Sequence, residues 1–113
     1  LIKNNMINLM KPDPIYRNGY KDKQRMEDMH NIPCSLCYLK GWTQATRTTV
    51  HHKTGMGLGK KASDVLSLSL CDSHHQKGPD AFHHIGKAAW EKKFIDQDSL
   101  IELTNKLLTT INN

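Results

Sequence analysis

Aromatic residues are scarce: two Trp, three Tyr and two Phe make up 6% of the 113 residues. A chain of this length buries roughly two-thirds of its unfolded surface. With so few large rings the core is thin, and a metal staple would help to hold it. Long apolar runs are missing as well. Nothing approaches the ~18 consecutive apolar residues of a transmembrane helix, and no secretory apolar stretch stands near the start, so no membrane partner is expected. Three cysteines are an odd number, which argues against a closed disulfide framework. Asp and Glu are absent from Lys40 to Lys61, a stretch that also carries Arg47, Lys53 and Lys60. Thr54-Gly-Met-Gly-Leu-Gly-Lys60 is superficially similar to a phosphate-cradling loop. It lacks the Gly-x-x-x-x-Gly-Lys-Ser/Thr spacing, which excludes a nucleoside triphosphate site of that kind.

What is present fits one globular domain: 37% hydrophobic, 24% charged and a net charge of +5. The basic balance favours a polyanionic partner. Residues 1–20, Asn-rich and broken by Pro12 and Pro14, read as an extended arm. Residues 21–113 read as a single α+β domain. A helix is expected over Lys21–Asn31, then a tight knuckle at Cys34–Cys37 with Gly41 as a turn. The β-branched run Thr46–His51 predicts a strand, and the alternation Val65–Leu70 a second, half-buried one. After Cys71 come a short helical stretch, a break at Gly78-Pro79 and a helix over Asp80–Phe94. On that helix His83, Lys87, Trp90 and Phe94 would step along one side. A last helix is expected from about Ser99 to Ile111, opened by the capping box Ser99-x-x-Glu102 and striped by Leu100, Leu103, Leu107 and Ile111.

Seven histidines are the unusual feature, and six of them form the doublets His51-His52, His74-His75 and His83-His84. His30 stands alone and reads as an ordinary satisfied residue. Neighbours on a strand point to opposite faces, so His51 and His52 suit two tasks, one ligating and one handling a proton. Neighbours in a helical turn differ by ~100°, so His74 and His75 can serve two sites. Cys34-x-x-Cys37 with Cys71-x-x-His74 is the spacing of a structural Cys₃His zinc knuckle, and reduced thiolates of this kind belong to a cytosol-like compartment. That leaves His51, His52, His75 and either His83 or His84 for a second site. A divalent ion held by imidazoles beside a further His is hydrolytic chemistry.

Taken together, Cys34-x-x-Cys37, Val50-His51-His52 and Leu70-Cys71-x-x-His74-His75 resemble an HNH nuclease with a ββα-metal (His-Me finger) core. The closer resemblance is to the Ref family, recombination-enhancement nucleases of phages and prophages. It runs from about Arg25 to Leu108 and includes Ile32-Pro33, Gly55-x-Gly57-x-Gly59, Asp64, Gly78-Pro79, His83-x-x-Gly86 and Trp90. That likeness implies His51, His75 and His83 as ligands of a catalytic divalent ion, His52 as general base, and flanking helices around the core. It also implies DNA as substrate, RecA as a partner and the cytoplasm of a bacterial host as the setting. Many HNH enzymes carry an Asn that orients the base a few residues before the Leu-Cys step. This sequence has Leu66 and Ser67 there, and leaves the part of nearby Asp64 open.

The expected chemistry is hydrolysis of a DNA phosphodiester, nicking or cleavage, in recombination or processing, leaving 5′-phosphate and 3′-hydroxyl ends. Mg²⁺ or Mn²⁺ is the expected working ion, although three neutral imidazoles can also hold Zn²⁺ or Ni²⁺. Arg47, Lys53, Lys60 and Lys61 are the expected DNA contacts. The alternative is a zinc-stabilised DNA-binding module that does not cut, which would have no need of His52. A protein–protein adaptor comes third, with Met6, Ile7, Leu9 and Met10 as its apolar patch.

Overall fold

The structure, a computed structural model, describes residues 16–17, 19–55 and 61–111. The patch at Met6–Met10, most of the 1–20 arm and the loop residues 56–60, Lys60 included, lie outside the described residues. Two antiparallel strands, β1 (Thr48–His52) and β2 (Ser67–Cys71), form the sheet, with His51 opposite Leu68 and Thr49 opposite Leu70. Helices surround it in a mixed α and β arrangement. In chain order they are α1 (Lys23–Met29), α2 (Ser35–Lys40), then after the sheet α3 (Asp72–His75), α4 (Phe82–Ile85), α5 (Lys87–Lys93) and α6 (Gln97–Ile111).

Local chemistry explains most of the boundaries. Asp22 caps α1 by accepting from the Arg25 N–H at 3.1 Å. The expected knuckle is in fact helical. Cys34 caps α2 through its sulfur, and Gly41 ends the helix at φ 70°, a left-handed conformation that glycine adopts without strain. The helix expected over Asp80–Phe94 is instead two, α4 and α5, because Gly86 turns the chain at φ 86°. The expected single-sided stripe is lost with it: Trp90 is fully buried, whereas His83 and Lys87 are exposed. The last helix starts two residues earlier than expected. Its cap is Asp96, which accepts from the Ser99 N–H and hydroxyl at 2.9 Å, and not the Ser99–Glu102 box. Its buried side carries Leu100, Ile101, Thr104, Leu107 and Leu108, while Ile111 is exposed.

β2 was expected to be half-buried, yet all five of its residues are buried. Its serines allow this because each finds a partner. Ser67 donates to Asp64 O and accepts from Arg25 at 3.0 Å, Ser69 donates to Pro33 O at 2.9 Å, and the Ser69 backbone accepts from Ser35 at 2.7 Å and donates to Thr104 at 3.1 Å. Arg25 then ties α1 to both β2 and α6, through Ser67 O at 2.8 Å and Asn105 at 2.7 Å. The main core joins Leu36, Leu68, Leu70, Phe82, Trp90, Leu100 and Ile101 with the three cysteines. A second cluster of Met29, Ile32, Leu107 and Leu108 packs α1 against α6. After α3 the chain doubles back so closely that a Cβ on Gly78 would lie 2.2 Å from Ser73 O. That contact forces glycine at 78 and fixes the end of the short helix that carries His74 and His75.

Candidate functional site

Two clusters flank α3. In the first, Cys34, Cys37, Cys71 and His74 present ligand atoms within 4.8 Å of one another. Cys37 Sγ lies 3.9 Å from Cys71 Sγ and 3.6 Å from His74 Nδ1, and Cys71 Sγ lies 3.2 Å from the same nitrogen. The cysteines are free and buried, and the sulfur spacing is far beyond the ~2.05 Å of a disulfide. It matches the ~3.8 Å edge of a tetrahedron with Zn–S bonds of ~2.3 Å. Hydrogen bonding among the thiols divides their acidity. The Cys34 contact, assisted by His74, pulls the Cys71 thiol well down, while the same contact and burial push Cys34 up. Burial also raises Cys37. A soft thiolate and imidazole set of this kind could hold a metal ion and fits zinc. Trp42 stacks on His74, ring centres 5.7 Å apart.

In the second cluster His51, His75 and His83 also bring their nitrogens within 4.8 Å of one another. Their ring centres lie 5.0 Å (His51–His75), 4.8 Å (His75–His83) and 5.6 Å (His51–His83) apart. Three imidazoles bound tetrahedrally at ~2.0–2.1 Å would have centres roughly 5 Å apart, so the set could hold a divalent ion. Of the doublet left open by sequence, His83 joins this grouping and His84 does not. Burial pushes His51 down to about 4, with Gln97 opposing and neighbouring imidazoles, His52 among them, adding to it. Burial likewise takes His75 to about 4, followed by the His83 charge. Both are therefore neutral at pH 7, with a lone pair on offer.

That depression has a sign. Below their ordinary 6.5, the unfolded chain takes up protons that folded His51 and His75 refuse. Stability is thus full above pH 6.5 and falls as pH drops towards 4, by at most about 3 kcal/mol for the fully buried His51. Denaturant titrations across pH 4–7 should show this loss, and His51→Gln should flatten it.

His52 points the other way from His51, as strand alternation requires. Its Nε2 lies 2.7 Å from Asp64 Oδ1, and Asp64 Oδ2 accepts from the Asp22 N–H at 2.7 Å. Burial raises the Asp64 carboxyl, but the Asp22 N–H and His52 outweigh it and hold it below its usual range. Asp64, whose part the sequence leaves open, is thus the side chain that holds the His52 ring.

Of the expected DNA contacts, Lys61 is exposed. Arg47 is exposed and 3.5 Å from Asp72, while Lys53 is engaged by Asp98 at 2.7 Å. Two residues near the histidines escaped the sequence reading. Thr49 contacts His75 and Gln97 contacts His51. Thr49 had a signal, since it shares the His51 face of β1; Gln97, 46 residues from its partner, had none.

The fold and site define a small mixed α and β protein with a two-stranded sheet, in which a Cys₃His cluster and a three-imidazole cluster, either of which could hold a metal ion, meet at one short helix. The chain belongs to the recombination enhancement, RecA-dependent nuclease family, which matches residues 19–108 and is the family the sequence resembles. No curated protein and no solved structure gives a significant match. The family name is that of a nuclease acting in recombination, with DNA as the substrate this implies. Among the described residues no helix is long and apolar enough to cross a membrane.

Proposed function

We propose that the protein is a metal-dependent HNH endonuclease that hydrolyses DNA phosphodiester bonds in phage or prophage recombination. The observation that carries this reading is the division of labour along β1: His51 joins a three-imidazole cluster while His52, one residue on, is held by a carboxylate. The succession β1, β2, α3, with a cluster histidine on the first strand and another on the helix directly after the second, supports a ββα-metal core. Cys34, Cys37, Cys71 and His74 would hold a structural zinc. His51, His75 and His83 would hold the catalytic ion, Mg²⁺ or Mn²⁺. Three nitrogens favour Mn²⁺ of that pair and would bind Ni²⁺ or Zn²⁺ more tightly still. When bound, the ion supplies Lewis acidity that offsets charge growing on the leaving 3′ oxygen.

His52 does the proton chemistry. With Nε2 engaged by Asp64, the other ring nitrogen, Nδ1, would accept a proton from the attacking water, and the Asp64 carboxylate would stabilise the imidazolium that forms. His83 is exposed, so a phosphodiester can approach the cluster from that side. RecA is the partner that the family name suggests, and the free cysteines suit a bacterial cytoplasm. With RecA supplied, as the family name requires, supercoiled plasmid should be nicked with Mn²⁺ or Mg²⁺ and left intact with chelator. Binding to DNA without any cutting, with RecA present and whichever ion is supplied, would replace this reading with the non-catalytic zinc-stabilised module.

DNA affinity should fall with salt. Lys60→Gln and Lys61→Gln should weaken binding on all sequences and reduce the salt slope by about 1 each. Filter binding from 50 to 200 mM salt checks this. An unchanged slope moves the footprint to Lys87, Lys92 and Lys93.

A further inference from the structure

We propose that Gln97 and Thr49 are positioning residues that set opposite tautomers in the two buried imidazoles. His51 would keep its proton on Nε2 and His75 on Nδ1, so that each turns its remaining lone pair to the shared centre. This rests on the reading that His51, His75 and His83 hold the catalytic ion. A ring that ligates a metal must be neutral and so carries a single N–H. The hydrogen bonds decide which nitrogen that is.

Gln97, the first residue of α6, is 1% exposed. The Thr54 N–H lies 3.0 Å from its Oε1. A backbone N–H can only donate, so this end of the amide is the oxygen, and its NH₂ faces Thr54 O at 3.4 Å. The same oxygen is 2.9 Å from His51 Nε2. Oxygen can only accept there, which leaves the proton on His51 Nε2 and the lone pair on Nδ1. Thr49 works from the opposite side. Its one hydroxyl proton is donated to Leu70 O at 2.7 Å, across the strand pair. Towards His75 Nδ1, at 2.8 Å, the hydroxyl therefore accepts. His75 carries its proton on Nδ1 and offers Nε2.

Neither residue touches the reacting atoms. Each acts by aiming a ligand, and outer partners of this type are typically worth 10–100-fold in metal affinity. Gln97 is itself held, its backbone N–H donating to Glu91 at 2.7 Å, so the start of α6 is fastened beside His51.

The test uses zinc-loaded protein with ¹⁵N-labelled histidine. Before Mn²⁺ is added, the ring nitrogens of His51 and His75 should show opposite protonation patterns, assigned with His51→Gln and His75→Gln. Mn²⁺ uptake, followed by loss of the free-ion electron paramagnetic resonance signal, should weaken 10–100-fold in Gln97→Leu and Thr49→Val. The acceptor-retaining Gln97→Glu and Thr49→Ser should recover it, which a purely structural role would not predict. The same tautomer on both rings, or wild-type Mn²⁺ affinity in both Gln97→Leu and Thr49→Val, overturns the proposal. Opposite tautomers in a wild-type protein that takes up no Mn²⁺ would uphold the positioning and sink the metal reading instead.

Discussion

His52→Ala should leave metal and DNA affinity near wild type while turnover falls ~10²–10⁴-fold, the usual worth of a positioned acid or base. His52 faces away from the three-imidazole cluster and towards Asp64, so its loss removes no ligand atom. His51→Ala and His75→Ala should do the reverse. Each removes a buried member of the cluster, weakens metal binding and lets some activity return at high metal concentration. Asp64→Ala should resemble a milder His52→Ala, since it frees the ring without deleting it. Calorimetric metal titration beside plasmid nicking separates these cases. Loss of metal in His52→Ala but not in His51→Ala would mean that the pair has its roles reversed.

Cys34→Ser should release zinc and unfold the domain. Cys34 is fully buried and does two things: it belongs to the Cys₃His cluster, and its sulfur caps α2. Serine is a favoured N-cap, so this substitution keeps the capping function and isolates the metal. A structural zinc can contribute an apparent 10–16 kcal/mol, against a total stability of about 5–15 kcal/mol for a typical domain. Circular dichroism and a zinc assay should therefore change together, and chelator should reproduce the effect in wild type. Native melting in the variant would remove the zinc assignment.

What could be read from the sequence was what local spacing encodes. The Cys-x-x-Cys and Cys-x-x-His pairs are short-range constraints, and the opposite aims of His51 and His52, like the ~100° between His74 and His75, follow from strand and helix periodicity alone. Boundaries went astray where two local signals competed. Gly86 has the composition of a tolerable helix interior, yet its positive φ splits the helix. Ser99 looked like a cap because Glu102 follows it, while Asp96 makes the better acceptor for the same N–H. β2 looked half-buried because its serines are polar; the partners of Ser69 come from α2, Pro33 and α6, and those of Ser67 from Asp64 and α1, which no strand pattern displays. Gln97 was invisible for a similar reason. Its role exists only once the start of α6 has packed beside Thr54.

The four-residue helix α3 contributes to both clusters through adjacent residues, His74 to one and His75 to the other. The two centres therefore share a single frame of reference. Inserting or deleting one residue between Cys71 and His75 would swing the pair by ~100° about the helix axis and misaim both at once. Each centre can drift only by carrying its neighbour along, so sequence change in this stretch is confined to substitution. Variation in length has to be taken up elsewhere, in the connections that touch neither cluster.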